Sequence, residues 1–254
     1  MILDDVIAAL GIPVNAMVNQ RVPKTLMVKN GAPAAADKRL INEGIESVQW
    51  LAALKATTIG VPEYRDDARE YLEIAVLRAD LRTGANANRL AELIHRAIPY
   101  PVFLVTKQDD NDDFSLSLAH MRWSLAQASE TVIDGNMIIV KGLAGIREDI
   151  SQAFFKELAL LAQPRGSLYA LYQGWIDTLL ALEAARITGV FRTNGGKKDR
   201  EERREALQAC AQLEVQIKHL RAAARIEKQV AKLVSLNLEL KELEAQLERA
   251  RQKL

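Results

Sequence analysis

From Lys197 to Leu254 the chain runs without a single glycine or proline. Within that stretch Ile226, Leu233, Leu240, Leu247 and Leu254 recur every seven residues. Leu236, Leu243 and Ala250 recur every seven on the complementary phase, with Gln229 the polar exception. Two interleaved sevens lay apolar side chains along one narrow helical seam, the pattern of a coiled coil. Farther upstream Leu213, Ile217, Leu220 and Ala224 keep a different phase. That change requires a register discontinuity near 222–226 or a tight hairpin bend there. A seam of this kind needs a second helix to cover it. The candidates are a second copy of the chain, the helix expected over 167–188, or a different protein. Ile226, Leu233, Leu236, Leu240, Leu243, Leu247 and Leu254 are therefore the candidate partner-binding residues.

The preceding residues read as a globular domain. Apolar residues make up 49% of the chain, enough for a core, and the formal net charge is +1; such a balance gives no global attraction to nucleic acid or membrane. Residues 1–36 are broken by Pro13, Pro23 and Pro33, which predicts one helical turn over Asp4–Leu10 and extended loop after it. Asp37 is placed to cap a short helix through Gly44, with Leu40 and Ile41 facing inward. Ile45–Leu54 and Thr57–Val61 carry strand composition, and Tyr71–Leu77 reads as a central strand buried on both faces. Leu90, Leu93, Ile94 and Ala97 fall at helical spacing, Pro99-Tyr100-Pro101 stops that helix, and Val102–Val105 is a further strand. Strand, helix and strand in so short a span make a βαβ unit with parallel strands. Ser115 and Ser117 alternate with Phe114, Leu116 and Leu118, which predicts a half-exposed antiparallel strand, and Met137–Val140 supplies another. From about 148 the pattern turns helical, with Ser167 capping a helix lined by Leu168, Leu171, Tyr172, Trp175, Leu179 and Leu182. The fold class is α+β: a mixed sheet with a βαβ unit, then helices, then a long C-terminal coiled-coil helix. The expected divisions are 1–146, a helical segment over 147–192 packing on it, and the tail over 197–254.

Sites of chemistry are few. Asp109, Asp110, Asp112 and Asp113 crowd one loop, but the spacing, glycine and distal glutamate of a calcium loop are missing. His95, His120 and His219 have no partners at metal-ligand spacing, and the lone Cys210 sits in a helical run. Gly195-Gly196-Lys197-Lys198 lacks the earlier glycine, the Ser or Thr and the strand of a phosphate loop. Glu73 begins a Glu-x-x step whose third position is Ala75, which breaks the Glu-x-Lys arrangement of metal-dependent nucleases. No catalytic residue, metal or cofactor is expected. Lys197, Lys198, Arg200, Arg203 and Arg204 form the best nucleic-acid candidate, diluted by Asp199, Glu201, Glu202 and Glu205, and Arg200, Arg203 and Arg204 are expected to lie off the apolar seam. The acidic start Met1–Asp5 is unlike a secretory signal, and no apolar run spans a bilayer, so the cytoplasm is the expected compartment.

Several segments in order resemble one prokaryotic family, domain of unknown function 4391. They are Val22-Pro23-Lys24, Ile45–Trp50 with Leu54, Lys55 and Thr58, and Leu93-Ile94 with Ala97–Pro101 leading into Val102-Phe103-Leu104. The last is Glu227-Lys228-Gln229 with Asn237, Leu240 and Leu243. The resemblance implies a small cytosolic protein encoded beside helicases and DNA methyltransferases in restriction or phage-defence loci, and it supplies no catalytic residues. The functional expectation is a non-enzymatic accessory subunit of a DNA-processing or defence assembly, with a helicase or methyltransferase as the implied partner and a homodimer through the coiled coil as the other form of association. The alternatives are a cryptic nuclease or nucleotide-processing enzyme with a degenerate site, and a weak, sequence-independent DNA-binding module.

Overall fold

The computed structural model describes residues 3–32, 34–108, 114–124, 131–193 and 195–254. The chain divides into two compact units, Met1–Leu179 and Leu180–Leu254.

The first unit is built on a sheet of six strands: β1 (Met17–Arg21), β2 (Ile45–Lys55), β5 (Glu73–Leu81), β6 (Val102–Gln108), β7 (Phe114–Trp123) and β8 (Thr131–Val140). They lie side by side in that order, and β3 (Tyr64–Arg65) and β4 (Glu70–Tyr71) form a separate two-stranded sheet. Only β5 and β6 run parallel; every other pair in the sheet is antiparallel. The parallel pair needs a crossover, and α5 (Ala87–Ala97) supplies it. Asn86 caps that helix by accepting the Arg89 N–H at 3.2 Å. The sheet is therefore mixed and the class α+β.

Three helices, α2 (Lys24–Gly31), α3 (Ala35–Gly44) and α5, cover one face of the sheet. Met27, Ile41, Leu90, Leu93 and Ile94 pack there against Ala75, Leu77, Ala79, Leu81 and Leu104. The helices come close because Gly31 has no side chain: a Cβ there would lie 2.4 Å from the Leu93 carbonyl oxygen. On the opposite face Trp175 meets Phe103 edge-on, ring centroids 5.1 Å apart, from the first part of α7 (Leu168–Thr188). With both faces covered, β5 buries nearly every side chain, as a central strand must.

Several elements differ from expectation. Prolines 23 and 33 do not exclude a helix from the early segment. Pro23 instead sits at the start of α2, where its missing N–H has no intrahelical role. The loop reading also missed β1, whose Gln20 and Arg21 pair with Trp50 and Gln49. Residues 56–59 form a helical turn, α4 (Ala56–Ile59), not a strand. Asp37 does not cap α3; it lies within the first turn and takes both ends of the Arg89 fork at 2.8 and 3.0 Å. Ser117 is buried, because β7 is covered on the side that its alternation marks as exposed.

In the second unit α7 ends at Thr188, and α8 (Lys197–Ile226) and α9 (Val230–Arg251) follow. The C-terminal segment is therefore two helices folded back on one another, the hairpin alternative to a single long helix. The remaining helices are α1 (Leu3–Ala9) and α6 (Glu148–Leu158), both in the first unit.

Candidate interaction surface

The bend between α8 and α9 contains no helix-breaking residue. Glu227 makes it: its backbone is extended, and one carboxylate oxygen accepts the N–H groups of both Lys228 and Gln229 at 2.8 Å. A side chain thus takes over donors that helix continuation would have used. The two helices then close a shared seam. Cys210, Ile217, Leu247 and Ala250 are buried in it, with Leu213, Leu240, Leu243 and Leu254 packed around them. Arg221 pairs with Glu244 at 2.7 Å, and Arg251 with Glu214 at 3.1 Å, each joining one helix to the other. Such exposed pairs contribute at most about 1 kcal/mol each. The seam carries the hairpin, and the ion pairs fix its register.

The candidate partner-binding residues therefore separate. Leu240, Leu243, Leu247 and Leu254 meet α8 of the same chain, and Leu233 and Leu236 are half-buried on the same phase. Ile226 belongs to the end of α8 and is 79% exposed. It stands close in sequence to Val230, Val234 and Leu238, which are 76, 52 and 66% exposed. The last three lie at i, i+4 and i+8, a second apolar stripe on α9 away from the seam. That spacing is visible in the sequence, but the stronger heptad signal conceals it.

Two cations of the basic run at the start of α8, Lys198 and Arg200, have partners close by in the chain. Lys198 stands 3.7 Å from Glu202, Asp199 accepts the Gly196 N–H at 2.7 Å, and Arg200 donates to the Gly195 carbonyl. Arg203 is buried, contrary to the expectation that it lies off the seam, because it is seven residues before Cys210 and shares its phase. Arg204 is exposed. Lys197 is the first residue of the helix.

Of the other candidates, the aspartate cluster at 109–113 lies outside the described residues. Among the described residues no three His, Cys, Asp or Glu side chains gather as a metal site. Glu73 pairs at 3.0 Å with Lys55, its register partner on β2, so a lysine stands beside it from the neighbouring strand. Cys210 is buried in the hairpin seam, and burial pushes its thiol above the usual range, the opposite of nucleophile activation. His95 is fully buried, with Nε2 3.0 Å from the Ser117 hydroxyl and Nδ1 unpartnered. Burial lowers its pKa to about 3, so the ring is neutral. His120 joins an aromatic network: Nδ1 faces the Tyr71 hydroxyl at 2.5 Å, Nε2 faces Gln173 Oε1 at 2.8 Å, and Tyr169 stacks on the ring. Both nitrogens are engaged in hydrogen bonds.

The sequence model of Domain of unknown function (DUF4391) matches residues 10–247. The chain belongs to that family. No curated protein and no solved structure matches it. The matched span takes in the sheet, α8 and α9 as far as Leu247. Among the described residues no helix is long and apolar enough to cross a membrane.

Proposed function

We propose that the chain is a non-enzymatic accessory subunit that docks a protein partner through its helical hairpin, within a DNA-processing or phage-defence assembly. The observation that carries this reading is the exposed aliphatic set Ile226, Val230, Val234 and Leu238 beside a seam that is already closed. Water-facing aliphatics in such a cluster gain on the order of 1–2 kcal/mol each when a partner covers them. A helix from the partner laid along α9 fits their i, i+4, i+8 spacing. The setting implied by the family likeness makes a helicase or a DNA methyltransferase the first partner to test. The test compares the wild type with a Val230→Ser, Val234→Ser, Leu238→Ser variant in affinity purification from the native host, with light scattering alongside. A helicase or methyltransferase retained by the wild type and lost by an equally stable variant supports the reading. Equal retention by both proteins, or a wild-type dimer that the variant abolishes with no other protein retained, overturns it.

A further inference from the structure

A cleft of about 460 Å3 opens between α2 and α3, lined by Lys24, Thr25, Val28, Lys29, Lys38 and Asn42 together with Ala32. Its lining holds three lysines and no acidic side chain. Burial, then Arg82 and Arg21, lower the Lys24 pKa, so two further cations bear on the same place. The acids of α3 are already engaged: Asp37 by Arg89, and Glu43 by Arg39 at 2.8 Å. Among the described residues no carboxylate pairs with Arg21, Lys24, Lys29, Lys38 or Arg82, and Glu46 acts on Lys24 only from a distance. Lys24 is held in place by donating to the carbonyls of Ile45 and Asn42 at the end of α3. Folding therefore gathers cations that repel one another, an arrangement that an incoming anion relieves.

We infer that this cleft binds the phosphate groups of a nucleic-acid backbone. The lining offers ammonium, hydroxyl and amide donors, the set that contacts phosphate oxygens. It offers no aromatic ring on which a base could stack, so binding is to the backbone and independent of sequence. Lys24 and Lys29 are about 7.5 Å apart along the helix axis, the axial span of about two phosphates of one strand. A free nucleotide would engage only the phosphate part of itself here, whereas a strand engages several cations at once. The inference does not rest on the hairpin reading, since every lining residue lies in or beside α2 and α3.

The test is fluorescence anisotropy of a short labelled DNA duplex with the full chain across a salt series. The wild type is expected to lose affinity with a log–log slope of about −2 to −3, two or three phosphate contacts. Lys29→Gln with Lys38→Gln, both exposed, is expected to weaken binding at least about tenfold and to bring the slope near −1, with an unchanged melting curve. Arg200→Gln with Arg204→Gln, at the start of α8, is expected to leave affinity within about twofold. The inference is overturned by absence of duplex binding at low ionic strength, by binding that the double lysine variant leaves intact, or by loss in the α8 variant instead. Stoichiometric binding of inorganic pyrophosphate without duplex binding overturns it too, since it makes the cleft a site for small phosphates.

Discussion

The Tyr172 hydroxyl accepts the Ala119 N–H at 2.9 Å, and it also reaches the carbonyl oxygens of Val102 at 2.7 Å and Ala119 at 3.1 Å. The ladder between β6 and β7 is recorded from Leu104 opposite Ser117 to Lys107 opposite Phe114. Continuing that register would set Val102 opposite Ala119, and at this point a side chain from α7 stands in for the ladder. One phenol thus satisfies strand backbone and ties the helix to the sheet. Burial holds its pKa well above the ordinary value, so it acts as a neutral donor and acceptor.

Tyr172→Phe keeps the ring and removes the oxygen. The Ala119 N–H and the Val102 and Ala119 carbonyls then lose that partner, a cost of about 1–3 kcal/mol. Urea unfolding should show a lower midpoint with an unchanged slope; an unchanged midpoint would mean that the ladder closes without the phenol.

His95 makes stability depend on pH. Its folded pKa of about 3 lies below the ordinary histidine value, so between about 6.5 and 3 the unfolded chain binds a proton that the folded chain refuses. Stability from this group is therefore full above the unfolded pKa and is lost as pH falls through that window. From pH 7 to pH 5 the loss is about 2 kcal/mol. His95→Gln cannot titrate, and its melts should depend less on pH by that amount. Parallel pH profiles for the two proteins would contradict a neutral buried ring.

The central sheet is legible in the sequence because its signals are redundant. Ile45–Leu54, Tyr71–Leu77 and Val102–Val105 each combine apolar density with a turn or proline boundary, and β2, β5 and β6 are found there. The α2 helix is illegible because Pro23 looks like a prohibition when it stands at the helix start. The burial of Ser117 depends on what covers β7, and no local pattern carries that. The hairpin seam is legible as a heptad, whereas its bend is not, because the Glu227 carboxylate does the work for which glycine or proline is the usual signal. Ile226 continues the seven-residue arithmetic across that bend, and from the sequence it reads as part of the seam. The cationic cleft brings together residues from a segment that reads as loop and from the helix after it, so its lysines appear scattered.

Gly31→Ala tests the close crossing of α2 and α5. The added Cβ would meet the Leu93 carbonyl oxygen at 2.4 Å and the Ala97 Cβ at 2.8 Å, so backbone must move. Overpacking of this kind costs about 1–3 kcal/mol, which outweighs the roughly 0.5–1 kcal/mol that alanine gains over glycine inside a helix. A thermal midpoint equal to or above that of the wild type would show that the helices separate freely.

Leu243 and Leu247 decide whether the seam belongs to this chain or to another molecule. Both pack in the cluster that includes Cys210 and Ile217 of α8. Leu247→Ala removes a buried side chain, a change that costs about 2–5 kcal/mol where the site cannot collapse; Leu243, less buried, adds to it. Few other contacts in the hairpin offset such a loss, since its cross-helix ion pairs are exposed and weak. Hydrogen exchange should therefore speed up in α8 as well as in α9, although only α9 is altered, and it should do so equally at low and high protein concentration. Had the leucines been covered by a second copy, protection in the wild type would fall on dilution and α8 of the variant would exchange as before. That outcome would return the seam to an intermolecular role and leave the hairpin without its cohesion.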